Sequence, residues 1–205
     1  MNILYYLLAI VPSIILHEVS HGWVANYFGD PTAKQQGRLS LNPVKHIDPF
    51  GTLLLPAVLI FSGLPMFGYA KPVPVNVGRL RNPRKQSLYV SLAGPLVNIF
   101  LSGVGFAICE YAIHNTQSQM TFNIGEYLGL VNITLAAFNL IPIPPLDGSA
   151  ILERFIPQRN LAKYFHYRSY ALPFLMAFII LDSMVLHVGT NFLGSLQEWW
   201  LRQLF

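Results

Sequence analysis

The chain is poor in charge and almost without cysteine. Asp, Glu, Lys and Arg make up 11% of its 205 residues, against about 25% in a soluble globular domain. That shortage, with 53% hydrophobic residues and a mean hydropathy of +0.46, excludes an ordinary water-soluble fold and indicates a membrane protein. Cys109 is the single cysteine, so no internal disulfide and no cysteine-based zinc site is possible. Lys and Arg number 13 against 9 acidic residues, but they sit in short loops between apolar runs. That is a membrane pattern, and no nucleic-acid partner is expected. The first apolar run has neither a basic leader nor a small-residue cleavage site, so it is not expected to be a cleaved signal. No repeat, low-complexity tract or appended soluble domain is visible. The chain reads as a single membrane-embedded domain over residues 1–205.

The most informative stretch is His17-Glu18-Val19-Ser20-His21. On a helix, His residues at i and i+4 lie one turn apart, about 40° around the axis, so both rings reach one metal ion. Glu18 is turned about 100° away and reaches a metal-bound water in place of the metal. This is the H-E-x-x-H pattern of zinc hydrolases. The alternative, a polar kink in an amphipathic helix, leaves the desolvation of the cluster without an offset. Ile3 to Leu16 contain no acidic, basic or His side chain, and a bound divalent cation supplies that offset.

Along the chain, a first span runs from about Asn2 to Phe28 and stops at Gly29-Asp30-Pro31. A polar loop over 32–49 holds His46 and Asp48. They are read either as gating or supporting groups or as parts of a proline-containing turn. Residues 50–67 are apolar but broken by Gly51, Pro56, Gly63 and Pro65. Residues 68–76, GYAKPVPVN, cannot be helical and read as an extended edge segment. The next span, about Ser87 to Ile113, carries AGPLVN. Asn98 there is either a helix-to-helix hydrogen bond or a functional group. A span from about Glu126 ends where Pro142, Pro144 and Pro145 forbid helix, just before Asp147. Residues 149–169 read as a basic loop and 170–186 as a last span. Asp182 is expected to pair across the bundle, and the tryptophans of 190–205 suit an interfacial helix.

Lys and Arg orient the spans. Loops 32–49, 69–86 and 149–169 contain three, five and four of them, and 114–123 contains none. The positive-inside rule places the three basic loops in the cytoplasm. Residues 50–67 join two of these loops and are therefore expected to be re-entrant or shallow. The fold class is then an all-α polytopic membrane protein of four to six segments, with one re-entrant segment and a short β-like element. His17, His21 and Asp147 fall toward the cytoplasmic side. Asp147 can complete a His, His, Asp ligand set, with water as fourth ligand.

HEVSH in a first span, AGPLVN in a middle one and NLIPIPPLDG at the end of another resemble the site-2 protease family of intramembrane zinc metalloproteases. GRLSLNPVKHIDPFGT and GYAKPVPVN are similar to its compact prokaryotic branch, which lacks the regulatory domains of other branches. The resemblance covers about residues 10–150, with 151–205 left as a variable last span and tail. It implies one zinc per chain held by His17, His21 and Asp147, and Glu18 as the catalytic carboxylate. It implies that Asn139 contacts substrate or the reacting carbonyl. On chemical grounds either Asn139 or Asn98 can donate to the oxyanion. GYAKPVPVN, with Tyr69 and Lys71, becomes the edge that pairs with an unwound substrate.

The expected activity is hydrolysis of peptide bonds in or near transmembrane segments, by a zinc-activated water with Glu18 as general base. The expected partners are membrane-protein substrates and the lipid bilayer. The expected location is the prokaryotic plasma membrane, multi-pass, with the site toward the cytoplasm. Two other function classes fit less well. A catalytically inactive membrane-binding homologue fits poorly with an intact HExxH and a matching Asp. A metal transporter or sensor would need a chain of intramembrane acidic groups, which the sequence lacks.

Overall fold

The computed structural model describes residues 2–62, 70–168 and 170–204. Helix α1 (Ile3–Tyr27) begins where the Asn2 side chain accepts the N–H of Leu4, and it ends before Gly29, whose φ of +108° disfavours any residue with a Cβ. A short α2 (Thr32–Gln35) and a 3₁₀ turn at Pro43–His46 follow. Residues 49–61 form a wide turn, Pro49–Leu54, running into α3 (Leu55–Phe61). At about 1.5 Å per residue this piece is some 20 Å long, shorter than a membrane span. Residues 63–67, the rest of the segment expected to be re-entrant, lie outside the described residues, as does Tyr69. Residues 70–76 form neither helix nor β-ladder among the described residues, so the expected β-like element is not formed there.

Helix α4 (Pro83–Tyr111) starts four residues earlier than its apolar run, because Asn82 caps it and Pro83 takes the first helical position, where no N–H is needed. A π-turn leads to α5 (Gln119–Leu140), capped by Ser118. α1 and α4 are each long and apolar enough to cross a membrane. α4 and α5 pack antiparallel at a seam of small residues. A Cβ on Gly105 would lie 2.6 Å from the Gly125 carbonyl oxygen, so only glycine permits this approach. α1 lies antiparallel to α4, with His17 opposite Asn98 and His21 opposite Val90, and parallel to α5, with Asn2 beside Tyr127 and Ser13 beside Asn132.

Three expectations need correction. Residues 149–168 are two helices, α6 (Ser149–Phe155) and α7 (Gln158–Arg168). Leu161, Tyr164 and Phe165 form a helical stripe in α7 that the interleaved Arg159, Lys163 and Arg168 obscure. Asp182 follows α8 (Ala171–Leu181) and does not pair across the bundle. Its carboxylate accepts the N–H groups of Val188, Gly189 and Thr190, at 2.9, 2.9 and 3.0 Å, and so caps α9 (Val188–Arg202). The two tail tryptophans differ. Trp199 is exposed, but Trp200 is buried between Phe106 and Gly129, where a Cβ would overlap its indole.

Candidate metal centre

α1 presents His17 and His21 on one face, and the turns after α5 bring Asp147 to them. His17 Nε2 and His21 Nε2 are 3.2 Å apart, and Asp147 Oδ2 lies 3.1 and 3.5 Å from them. Asp147 is placed by the chain reversal at the prolines. The N–H of Gly148 donates to the Asn139 carbonyl at 2.7 Å, and a Cβ on Gly148 would collide with Leu140 and Ile141.

The proton positions follow from the partners. His21 Nδ1 lies 2.7 Å from the Val90 carbonyl oxygen, which can only accept, so Nδ1 carries the proton. His17 Nδ1 lies 2.5 Å from Asn98 Oδ1 and donates in the same way. Both Nε2 atoms face Asp147 Oδ2, at ion-pair distance if a ring is protonated. With both rings neutral all three atoms present lone pairs, and Asp147 Oδ2 is buried with no hydrogen-bond partner among the described residues. Three converging lone pairs call for a cation. Two nitrogens and one carboxylate oxygen suit zinc. Gly94 of α4 completes the cradle. A Cβ there would lie 2.5 Å from His17 Cε1 and 2.6 Å from the Nε2 of either ring.

Glu18 points elsewhere. Its Oε2 accepts the main-chain N–H of Val73 at 2.8 Å. A cavity of about 200 Å³ is walled by His17, Glu18, Ala70, Asn139, Leu146 and Leu175, among others. Asn139 donates one amide hydrogen to the Leu135 carbonyl at 3.0 Å, which leaves the second hydrogen available. A larger cavity of about 370 Å³, near Tyr6 and Glu126, holds none of these groups.

Asn98, Asp48, His46 and Lys71 do not line the cavity. Asn98 is fully buried behind His17 and its amide nitrogen donates to Asn132 Oδ1 at 2.7 Å. It does not line the cavity, so it is not placed for the oxyanion role. Asp48 accepts the N–H groups of Phe50 and Gly51 at 3.0 and 2.7 Å, as a turn residue. His46 is buried, with Nε2 2.7 Å from the Ser40 carbonyl. Lys71 donates its N–H to the His46 carbonyl at 2.9 Å, and its own carbonyl accepts from Arg38 at 2.8 Å.

Arg38, Asp30, Ser13 and Asn132 are contributors that sequence reasoning passed over. The Arg38 guanidinium grips the carbonyls of Lys45 at 2.5 Å and of Lys71, riveting the extended segment to the loop. Asp30 accepts the N–H of Asn76 at 2.6 Å, together with the hydroxyl and N–H of Thr32. Asn132 carried the same signal as Asn98, an amide at membrane depth. Ser13 carried none.

A model of peptidase family M50 matches residues 5–114 and 110–181. "Putative zinc metalloprotease YwhC" of Bacillus subtilis is 40% identical over 182 residues, 85% of this chain and 80% of that protein. "Putative zinc metalloprotease Rip2" of Mycolicibacterium smegmatis is 33% identical over 73% of this chain and 58% of its own length. "Zinc metalloprotease MJ0392" of Methanocaldococcus jannaschii is 26% identical over 72% of this chain and 33% of its own length. No solved structure matches the chain to the same standard.

Proposed function

The chain belongs to peptidase family M50, and on that premise we propose that it is a site-2-type zinc endopeptidase cutting membrane proteins within or near their transmembrane segments. The observation that carries the reading is the convergence of His17, His21 and Asp147 at one point, with Glu18 on the cavity that His17 also lines. His17, His21 and Asp147 would hold one zinc ion. When bound, zinc lowers the pKa of a coordinated water to about 7 and polarises a carbonyl.

The chain's own groups do the rest. Glu18 takes the proton of the attacking water as general base and returns it to the leaving amine. Its tie to Val73 holds the carboxylate at the cavity edge. The free amide hydrogen of Asn139 donates to the developing oxyanion, which is worth about 3 kcal/mol when well aimed. The apolar cavity wall around Leu146 and Leu175 excludes bulk water and suits an apolar substrate.

A transmembrane helix hides its carbonyls in its own hydrogen bonds and must unwind to be cut. The segment at 70–76 reaches the cavity wall at Ala70 and offers an edge for strand addition, with Lys71 at its start. Because Pro72 and Pro74 lack an N–H and Lys71 is fully used, few groups of the segment remain for pairing. We place the site toward the cytoplasmic side of a prokaryotic plasma membrane, with residues 50–67 re-entrant beside it. Purified protein in detergent, given single-span substrates with and without a zinc chelator, tests the reading. Zinc-dependent cleavage at a bond in or near the span is expected. Cleavage that persists without zinc, or none on any substrate, would overturn it.

A further inference from the structure

A hydrogen-bond chain leaves α1, crosses two other helices and returns to α1 at His17. The Ser13 hydroxyl lies 2.7 Å from the Ala9 carbonyl oxygen, which can only accept, so the hydroxyl donates there. Ser13 Oγ must then accept from Asn132 of α5, 2.7 Å away. Only the amide nitrogen of Asn132 can supply that bond. The Leu128 carbonyl, 2.8 Å from the same nitrogen, imposes the same orientation independently. Asn132 therefore turns its oxygen toward α4, where Asn98 donates to it at 2.7 Å. Asn98 in turn must show its oxygen to His17 Nδ1. Each link permits one direction only, and the last link fixes which nitrogen of His17 is left bare.

Ser13, Asn98 and Asn132 are each 0% exposed, so no solvent is at hand to replace a link. The geometry points to Asn132, anchored by Ser13 and Leu128, as a positioning residue that sets the tautomer of His17 through Asn98 and so keeps Nε2 free as a metal ligand. It acts without touching the metal site or the substrate. His21 is outside this chain, since its Nδ1 is held by the Val90 carbonyl. The two ligand rings are thus set by separate devices, one a side-chain relay and one a main-chain group. The metal role rests on the proposed function, but the tautomer does not.

The test uses the full chain in detergent, ¹⁵N-labelled at histidine and stripped of metal. Long-range proton–nitrogen correlation reads each ring's tautomer, and competition with a chelator reads zinc affinity. In wild type, both His17 and His21 should carry the proton on Nδ1. In Asn132→Leu, His17 should become a mixture of tautomers while His21 is unchanged, and zinc binding should weaken about 10–100-fold, as for other partners that orient a ligand. Ser13→Ala removes one of the two anchors and should shift His17 in the same direction by less; it carries the test if Asn132→Leu does not fold. A His17 ring that stays on the Nδ1–H form in either variant overturns the inference. A joint shift of His17 and His21 overturns it too, because it marks general damage. If wild type shows the tautomers but binds no zinc, the proposed function fails and the relay stands.

Discussion

The main-chain N–H of Val73 donates to Glu18 Oε2 at 2.8 Å, joining residues 55 positions apart. One oxygen of the carboxylate is thereby fixed, and the other remains free to take a proton. The same bond ties residues 70–76 to the helix that bears His17 and His21.

Glu18→Gln keeps an oxygen for Val73 and removes the base. Cleavage should fall by about 10²–10⁴-fold, while elemental analysis shows unchanged zinc. Activity within tenfold of wild type would dismiss Glu18 as the base, and loss of zinc would make it a ligand.

Asp147→Ala removes the buried oxygen that faces the two bare nitrogens. Zinc content and cleavage should fall together. Full zinc with lost cleavage would move Asp147 out of the ligand set.

Gly94→Ala leaves every ligand in place but puts a methyl group 2.6 Å from both Nε2 atoms. The rings cannot both keep their positions, and zinc affinity should fall at least tenfold. Normal affinity would show that α4 yields at this point.

Acid should loosen the extended segment through Asp30. Burial works against the charge of this carboxyl, but hydrogen bonds from Thr32 and Asn76 outweigh burial and hold the group below its ordinary value of 3.8. A carboxyl lowered in the folded state contributes stability above its ordinary value and loses it as pH falls through the lowered one. Limited proteolysis of residues 71–79 should therefore accelerate below about pH 4 in wild type. Asp30→Asn should flatten that profile; an unchanged acid response would assign it to another group.

Single cysteines at Gln36 and Asn82, in a Cys109→Ala background, test the placement of the loops. Neither should label from outside intact cells with an impermeant thiol reagent. Labelling at Asn82 alone would mean that residues 50–67 cross the membrane.

The cluster of His17, His21 and Asp147 was legible because two of them are fixed by helical period alone and the third by a proline break beside an acidic residue. α1 and the stop at Gly29 were legible for the same local reasons. α7 was not, because its basic residues are as dense as a loop's and its apolar stripe is only three residues wide. The roles of Asp182, Trp200 and Asn98 depend on what another helix brings to them. Asn98 is the sharpest case. Its place in a span marked it as important, but only the neighbouring Asn132 shows which way its amide is turned.

Trp200 has a use beyond packing. The chain contains three tryptophans; Trp23 and Trp199 are 65% and 55% exposed, and Trp200 is 5% exposed. Its indole rests on Gly129, one helical turn before Asn132 on α5. The protein thus carries its own optical gauge. A blue-emitting indole reports that the last helix is seated against the turn that orients the relay, and a red shift reports that it has lifted away.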